Sequence, residues 1–272
     1  MTRAERQLCA TILSNYPMSG LGSITRLAKK ANVSTPTVAR MVQKLGFSGF
    51  PAFQSALRDE LEAQISNPIA KHDNWAEQAP DTHLLNRFTD VVITNIRQTL
   101  AQIDPEKFDY AAALMGNNTH KLFIAGGRIT HSLAEYLFLH MQVIRPGVAQ
   151  VPANSNAWPH AVLDMNKGDV LVIYDIRRYE NSARMLARIA AERGVDVVLI
   201  TDQWQSPVAR HAKVTFNCRI EAPSAWDSTV AMQLLSETLI AAVEEVAWDE
   251  TRPRMNELEE IFDGTRIFRK FV

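Results

Sequence analysis

Apolar residues between positions 24 and 45 recur at helical spacing in two short runs that are separated by a break. The residues of the apolar faces are Ile24, Leu27 and Ala28 in the first run and Val38, Met41, Val42 and Leu45 in the second. Asn32 tolerates the left-handed backbone that ends a helix, Ser34 can cap the next helix, and Pro36 is accepted in its first turn. The pattern therefore predicts a helix-turn-helix.

The opposite face of the second helix carries short hydroxyls at its start and long cations further along. The candidate DNA-contacting residues are Ser34, Thr35, Thr37, Arg40 and Lys44, together with Lys29 of the first helix. A recognition helix needs this order, because its first residues meet base edges in the major groove while cations reach phosphates. A solvated face on an ordinary helical pair has a similar composition, and this alternative stays open on the segment alone.

Charge is distributed unevenly along the 272 residues. Residues 1–66 carry a formal charge of +4 and the remaining residues carry −5, so the net charge of −1 is the result of two unlike halves. No acidic residue occurs between Glu5 and Asp59. A domain that neutralises phosphates, joined to one that does not, produces this asymmetry, which favours DNA binding by the first domain.

Motifs across the first 65 residues form a specific combination. They are the Thr2–Glu5 helix start, the Val33-Ser34 turn, Val38-Ala39-Arg40, the run Lys44-Leu45-Gly46-Phe47-Ser48-Gly49-Phe50 and a further helix over Pro51–Ala63. This combination resembles the N-terminal domain of the RpiR family of bacterial transcription regulators. The resemblance implies DNA binding, and it implies that a sugar-isomerase (SIS) domain follows and binds a small phosphorylated metabolite.

Composition suggests a domain boundary in the polar stretch 66–80, which contains two prolines and reads as a linker. We therefore expect a DNA-binding domain over residues 1–65 and an effector-binding and dimerisation domain over residues 81–272. No apolar run approaches the length of about 20 residues that a membrane span requires, and no signal segment is visible, so we expect a cytoplasmic protein without membrane contact. The histidines, Cys9 and Cys218 show no metal-ligand spacing, and we expect neither a metal nor another cofactor.

Beyond residue 120, short apolar runs alternate with amphipathic helices. The runs cover residues 121–125, 170–174, 197–200 and, more weakly, 214–216. Apolar runs without strict alternation predict parallel strands that are covered on both faces, so we expect a doubly wound α/β domain with a parallel sheet after the helical N-terminal domain. Helices are predicted over 82–100 and 105–115. A last helix, apolar nearly all round, is predicted to end at Trp248 and favours dimerisation.

Ligands of such sheets bind beyond the carboxyl ends of the strands. The candidate effector-binding residues there are Gly126, Gly127, Arg128 and Thr130 after the first strand and Asp175, Arg177, Arg178 and Tyr179 after the second. Glycines let the backbone approach an anion, and arginine binds phosphate or carboxylate through paired hydrogen bonds. The alternatives are a tight turn for the glycines and an ion pair of the arginines with Asp175 or Glu180.

This half of the chain resembles a SIS domain in the order of its strands and in its glycine-rich first loop. Residues 126–130 stand where most SIS domains have Gly-x-Gly-x-Ser, and residues 175–179 stand where most have Ser-x-Ser-Gly. The chain resembles a branch of the family that has Gly-Gly-Arg and Arg-Arg-Tyr in these two loops. The resemblance implies a transcription regulator, a homodimer or a dimer of dimers, that binds a double-stranded DNA operator. It further implies control by a small anionic effector, a phosphosugar or a small carboxylate.

Two other functions stay open. A SIS-type aldose–ketose isomerase needs a general base; Glu180, Glu237 and His131 are available, but no spacing selects one of them. A structural dimeric adaptor is the third possibility. Because isomerisation does not need a basic N-terminal domain, we expect a regulator and not an enzyme.

Overall fold

The computed structural model describes residues 1–13, 16–65, 83–154, 156–266 and 268. Contacts between residues divide the chain into two compact units, the head (residues 1–78) and the body (residues 79–272), which are described separately. The predicted linker over residues 66–80 lies outside the described residues.

The described part of the head consists of short helices around one apolar core. The helices are α1 (Arg3–Leu13), α2 (Ile24–Lys30), α3 (Thr35–Lys44) and α4 (Phe50–Ile65). The buried core residues are Leu8, Ile12, Leu27, Ala28, Ala31, Val38, Met41, Val42, Phe53 and Leu57. The predicted inner faces of α2 and α3 are thus confirmed with one exception. Leu45 is 51% exposed, because it lies just beyond the last residue of α3.

The corner between α2 and α3 has the predicted backbone geometry. Asn32 adopts a left-handed φ of 50°, which ends α2. Ser34 then caps α3, because its hydroxyl oxygen accepts a hydrogen bond from the N–H of Thr37. Gly46 follows α3 with a φ of 94°. These local features explain why the segment forms a helix-turn-helix.

The body is built from a parallel sheet and the helices that cover it. Its helices are α5 (Leu84–Gln102), α6 (Pro105–Gly116), α7 (His131–Ile144), α8 (Trp158–Leu163), α9 (Asn181–Glu192), α10 (Val230–Val246) and α11 (Trp248–Thr265). Its strands are β1 (Leu122–Gly126), β2 (Val148–Gln150), β3 (Val170–Asp175), β4 (Asp196–Asp202) and β5 (Val214–Cys218). The five strands are parallel and lie in the order β2-β1-β3-β4-β5.

Helices cover both faces of the sheet, which confirms the predicted doubly wound fold. On one face, the Tyr174 hydroxyl of β3 lies 2.7 Å from the Ser236 hydroxyl of α10. On the other face, Ile173 of the same strand belongs to the apolar core formed with Leu186 and Ala190 of α9. The chain order reverses between β1 and β3, and the loops after these two strands meet at the carboxyl edge of the sheet.

The inward face of helix α5 is partly polar. Val92, Asn95 and Thr99 are buried, whereas Leu85 and Leu100 are 68% and 46% exposed. Asn95 and Thr99 hydrogen-bond the backbone that follows β5, so polar contacts fix the orientation of this helix. In the described ranges, none of the helices combines the length and hydropathy needed to cross a membrane.

Candidate functional site

The polar face of α3 is turned away from the core of the head. The hydroxyls of Ser34 and Thr37 lie 2.9 Å apart at the start of the helix, and Arg40 is exposed one turn later. Lys29, near the end of α2, is exposed as well. Among the described residues, the side chains of Arg40 and Lys29 form no ion pair or hydrogen bond, so both charges remain available to a phosphate.

Lys44 is exposed but its charge has a partner. Its Nζ lies 3.0 Å from Oε1 of Glu5, which is in α1. Glu5 also forms a capping box with Thr2, whose backbone N–H donates to Oε2 of Glu5 at 2.6 Å. The Thr2 N–H and then Lys44 hold the pKa of Glu5 below its ordinary value. Glu5 thus fixes Lys44 beside the end of α3, which no spacing in the sequence indicated.

The loop after β1 is closed by Thr130. The Thr130 hydroxyl accepts from the N–H of Gly127 at 2.9 Å and donates to the carbonyl of Tyr174 at 2.9 Å. The backbone is so tightly folded that a Cβ on Gly126 would lie 2.5 Å from the carbonyl oxygen of Thr130. Thr130 is 3% exposed and shapes this loop, while Arg128 is exposed on its outer side.

The loop after β3 directs Arg177 onto the protein. Its Nε lies 3.2 Å from Oδ2 of Asp227, and its guanidinium stacks over the ring of Trp204, 4.2 Å from the centroid. The side chains of Arg177 and Asp227 are only 8% and 15% exposed. The guanidinium that was predicted to bind an effector is therefore held in an ion pair, the alternative left open by the sequence, but with Asp227 as the partner.

The neighbours of Arg177 have mostly structural contacts too. Asp175 is 3% exposed and accepts hydrogen bonds from the Ser206 hydroxyl at 2.5 Å and from the N–H of Glu180 at 3.4 Å. Tyr179 donates its hydroxyl to Asp202 at 2.7 Å. Arg178, by contrast, is exposed and has a left-handed φ of 63°. Of the four residues predicted in this loop, Arg178 is the one that the structure presents to solvent.

Two buried carboxyl groups lie beneath this loop. Burial raises the pKa of Asp175 to about 6, against the lowering effect of the Ser206 hydroxyl. Burial also raises the pKa of Asp202, and the hydrogen bonds from Tyr179 and from the N–H of Arg177 work in the opposite direction. The loop is thus anchored by acidic groups that accept from its backbone. In the described part of the chain, no cluster of His, Cys, Asp and Glu could hold a metal ion.

A cleft opens where the loops after β1 and β3 meet the segment after β2. Its empty volume, which includes space open to solvent, is about 370 Å³. The residues of its wall that carry a polar side-chain atom are Trp158, Tyr174, Glu180 and Ser182, and the apolar ones include Val151, Ile173, Ala183 and Leu186. Gly126 and Gly127 line the cleft, whereas the other candidate effector-binding residues, Arg128, Thr130, Asp175, Arg177, Arg178 and Tyr179, are not among its lining residues.

Glu180 is the charged group of this wall, and sequence reasoning considered it only as a partner for arginine or as a base. Its Oε1 accepts from the N–H of Arg128 at 3.1 Å, and its Oε2 accepts from the Ser182 hydroxyl at 3.0 Å. A Cβ on Gly127 would lie 2.7 Å from Oε1 of Glu180, so glycine lets the carboxylate approach the loop. Trp158 was missed entirely, because the short helix α8 that carries it has no periodic signal.

Comparison with known proteins places both units. The helix-turn-helix domain of the rpiR family matches residues 1–64, and the SIS domain matches residues 117–242. The transcriptional regulator HexR of Pseudomonas aeruginosa is 24% identical over 251 residues, which cover 90% of this chain and 83% of HexR.

Two solved structures share the fold. The sugar isomerase domain of an RpiR transcription factor from Sphaerobacter thermophilus has a TM-score of 0.59 and 20% identity, and the match covers 66% of this chain and 99% of that one. Vibrio vulnificus NanR, solved in complex with ManNAc-6P, has a TM-score of 0.54 and 18% identity over 97% of this chain and 94% of that one. With an rpiR-type helix-turn-helix followed by a SIS domain, the chain belongs to the RpiR family of transcriptional regulators.

Proposed function

We propose that this DNA-binding regulator is controlled by a small anionic metabolite, a phosphosugar or a small carboxylate, that binds in the cleft of the SIS domain. The observation that carries the proposal is the presence, in one chain, of an exposed cationic α3 and a cleft at the carboxyl edge of a parallel sheet. Such an edge, at the point where strand order reverses, is where ligands of doubly wound sheets bind.

The DNA-binding surface of this proposal is the polar face of α3 with the end of α2. Thr35 and Thr37 at the start of α3 contact base edges, and Arg40 and Lys29 contact phosphates. Each lost phosphate contact reduces the dependence of log K on log salt concentration by about 0.9 for duplex DNA. Arg40→Ala is therefore expected to lower both the affinity and the salt slope.

The anionic part of the ligand is proposed to bind near Arg128 and Arg178. Each lies in one of the two loops that meet at the cleft, and each is exposed. Within the described residues, neither guanidinium forms an ion pair or a hydrogen bond. The structural relative NanR was solved with a phosphorylated sugar, ManNAc-6P, which is a ligand of the proposed class.

The proposed control of DNA binding uses two copies of the chain. We propose a homodimer or a dimer of dimers, whose two-fold symmetry matches a palindromic operator with half-sites about one helical turn, or a multiple of it, apart. A ligand that prefers one of two dimer arrangements by about 1–3 kcal/mol changes operator affinity about 5- to 150-fold.

The proposal is tested by selecting an operator from random duplex DNA with the full-length protein and then measuring its affinity by fluorescence anisotropy. Sugar phosphates, sugar acids and the matched neutral sugars are added in turn. We expect at least one anionic compound to change operator affinity while its neutral counterpart does not. A panel in which no compound has an effect, or in which only neutral sugars do, contradicts the proposal.

A matched pair of variants locates the anionic contact. Arg178→Gln removes an exposed cation from the loop after β3, and Arg188→Gln removes an exposed cation from α9 that pairs with Glu192. The response to the active compound is expected to weaken in the first variant and to persist in the second. Equal responses in both variants contradict the assignment of Arg178.

The isomerase alternative receives limited support from the positions of its candidate bases. Glu180 lines the cleft, whereas Glu237 is exposed on α10 and accepts from Gln233, and His131 begins α7. Turnover of sugar phosphates by the purified protein that is abolished by Glu180→Gln or Glu237→Gln would favour an isomerase over a regulator that binds its ligand without converting it.

A further inference from the structure

Three backbone N–H groups in the loops after β1 and β3 donate to carboxylates of the chain itself. The N–H of Arg128 donates to Glu180 at 3.1 Å, and the N–H of Arg177 donates to Asp202 at 2.6 Å. The N–H of Glu180 points to Asp175 at 3.4 Å. Because loop N–H groups are the usual cradle of a bound phosphate, a phosphate that used these three groups would have to displace the carboxylates.

Of the three carboxylates, Glu180 is the one that lines the cleft. No ion pair among the described residues includes it, so this carboxylate forms part of the cleft wall without a cation to neutralise it. Like charges at close range repel strongly where water is partly excluded. The cleft wall therefore disfavours a phosphate beside Glu180.

Trp158, in the same wall, places the opposite demand on a ligand. The Nε1 atom of its indole is buried and has no hydrogen-bond partner among the described residues. This N–H is a donor only, so it needs an acceptor, whereas the ionised carboxylate of Glu180 needs a donor. A phosphate suits Trp158 but not Glu180, and an ammonium group suits Glu180 but not Trp158.

A hydroxyl group suits each of them, because it donates one hydrogen bond and accepts others. The remaining wall suits the C–H surface of a polyol or a sugar, since Ile173, Ala183 and Leu186 are apolar and an indole offers a flat apolar face. A polyhydroxylated compound thus matches the polar and the apolar parts of the cleft.

We propose that Glu180 determines the ligand specificity of this SIS domain: it accepts a hydrogen bond from a hydroxyl of a polyhydroxylated ligand and excludes a phosphate from the backbone N–H groups of the loop after β1, which leaves the exposed side chain of Arg128 free to contact an anion. This inference rests on the proposed function and refines it. The hydroxyl-bearing part of the effector lies between Glu180 and Trp158, and its anionic group lies towards Arg128 and Arg178.

The test uses the full-length protein labelled with ¹⁵N on its tryptophan indoles, and it needs no DNA. Trp158→Phe assigns the Trp158 signal, and xylitol and inorganic phosphate are titrated separately into the wild type, Glu180→Gln and Glu192→Gln. Glutamine keeps the size of Glu180 and one oxygen that can accept from the N–H of Arg128, without the charge, and Glu192 is an exposed control on the same helix. Near-identical spectra without ligand establish that the variants fold.

Xylitol is expected to shift the Trp158 indole of the wild type and of Glu192→Gln. Phosphate is expected to shift it at a midpoint about tenfold lower in Glu180→Gln than in the other two proteins, since a repelling charge has been removed. Equal phosphate midpoints in the wild type and Glu180→Gln, no phosphate response in any of the proteins, or an unmoved indole with xylitol in the wild type overturn the inference. The proposed function fails separately, if no anionic compound changes operator affinity.

Discussion

Breaking the ion pair between Arg177 and Asp227 should destabilise the body strongly, although it lies in a loop. The two side chains are 8% and 15% exposed, so the pair is nearly desolvated. Removing one partner of a buried pair costs about 3–5 kcal/mol, because the other charge is left uncompensated. Two effects keep the cost at the lower end of this range: the pair retains some exposure, and the Arg177 guanidinium is still attracted to the Trp204 ring by about 1–2 kcal/mol. We therefore expect Asp227→Asn to lower the free energy of unfolding by about 3 kcal/mol.

Urea unfolding followed by tryptophan fluorescence measures this loss. Four of the five tryptophans lie between residues 158 and 248, so the signal reports mainly on the body. The midpoint should fall while the dependence on urea concentration stays constant, since the surface exposed on unfolding is unchanged. Glu192→Gln breaks the exposed pair with Arg188 and serves as the control, with an expected loss below about 0.5 kcal/mol.

The double variant Arg177→Met/Asp227→Asn removes both charges and should lose less stability than Asp227→Asn alone. A loss below about 1 kcal/mol for Asp227→Asn, or a double variant that loses the sum of the two single changes, would refute the structural role of this pair. Arg177 would then again be a candidate for binding the effector directly.

Three further results are expected. Because burial raises the pKa of Asp175 to about 6, the native state holds its proton more tightly than the unfolded chain. The stabilisation that the protonated Asp175 provides is therefore complete below pH 3.8, the ordinary pKa of the group, and is lost as the pH rises through about 6, by up to about 3 kcal/mol. The free energy of unfolding of Asp175→Asn, measured across this pH range, should lack that decline. Gly126→Ala should lower the free energy of unfolding by about 1–3 kcal/mol or more, and with it the melting temperature, because the new Cβ would lie 2.5 Å from the Thr130 carbonyl oxygen. An unchanged melting temperature contradicts the tight loop. Glu5→Gln keeps the capping box but releases Lys44 from its ion pair. Nonspecific duplex binding should therefore tighten, and the slope of log K against log salt concentration should steepen by about 0.9. An unaltered slope contradicts a role for Lys44 in DNA binding.

The helix-turn-helix could be predicted because its determinants are local. Asn32, Ser34 and Gly46 act within a few residues along the chain, and the apolar spacing of α2 and α3 determines which faces meet. The parallel sheet was predictable for a similar reason, since fully buried strands appear as unbroken apolar runs. The edge strand Val148–Gln150 was missed because three half-buried residues leave no such run.

The chemistry of the cleft was harder to predict, because it depends on contacts between distant residues. Arg177 finds Asp227, which is fifty positions away along the chain, and not the nearby Asp175 or Glu180. Glu180 in turn accepts from the backbone of Arg128. The residue types in one loop do not show which of its charges are neutralised by another loop. For this reason the sequence did not predict that Arg177 is held in an ion pair while the adjacent Arg178 is exposed.

The orientation of α5 shows the same limit in a helix. The spacing of its leucines does not show which face is buried, because the hydrogen bonds of Asn95 and Thr99 with the backbone after β5 turn a partly polar face inward. A buried polar group needs a partner, and the partner's position is a tertiary property.

The most direct measurement for the account as a whole is the affinity of the full-length protein for its selected operator, with and without the active anionic compound, for the wild type and Arg40→Ala. We expect the wild type to bind the operator in a salt-dependent way, the compound to change this affinity, and Arg40→Ala to weaken binding. DNA binding through α3 is contradicted if Arg40→Ala binds the operator as tightly as the wild type and with the same salt slope.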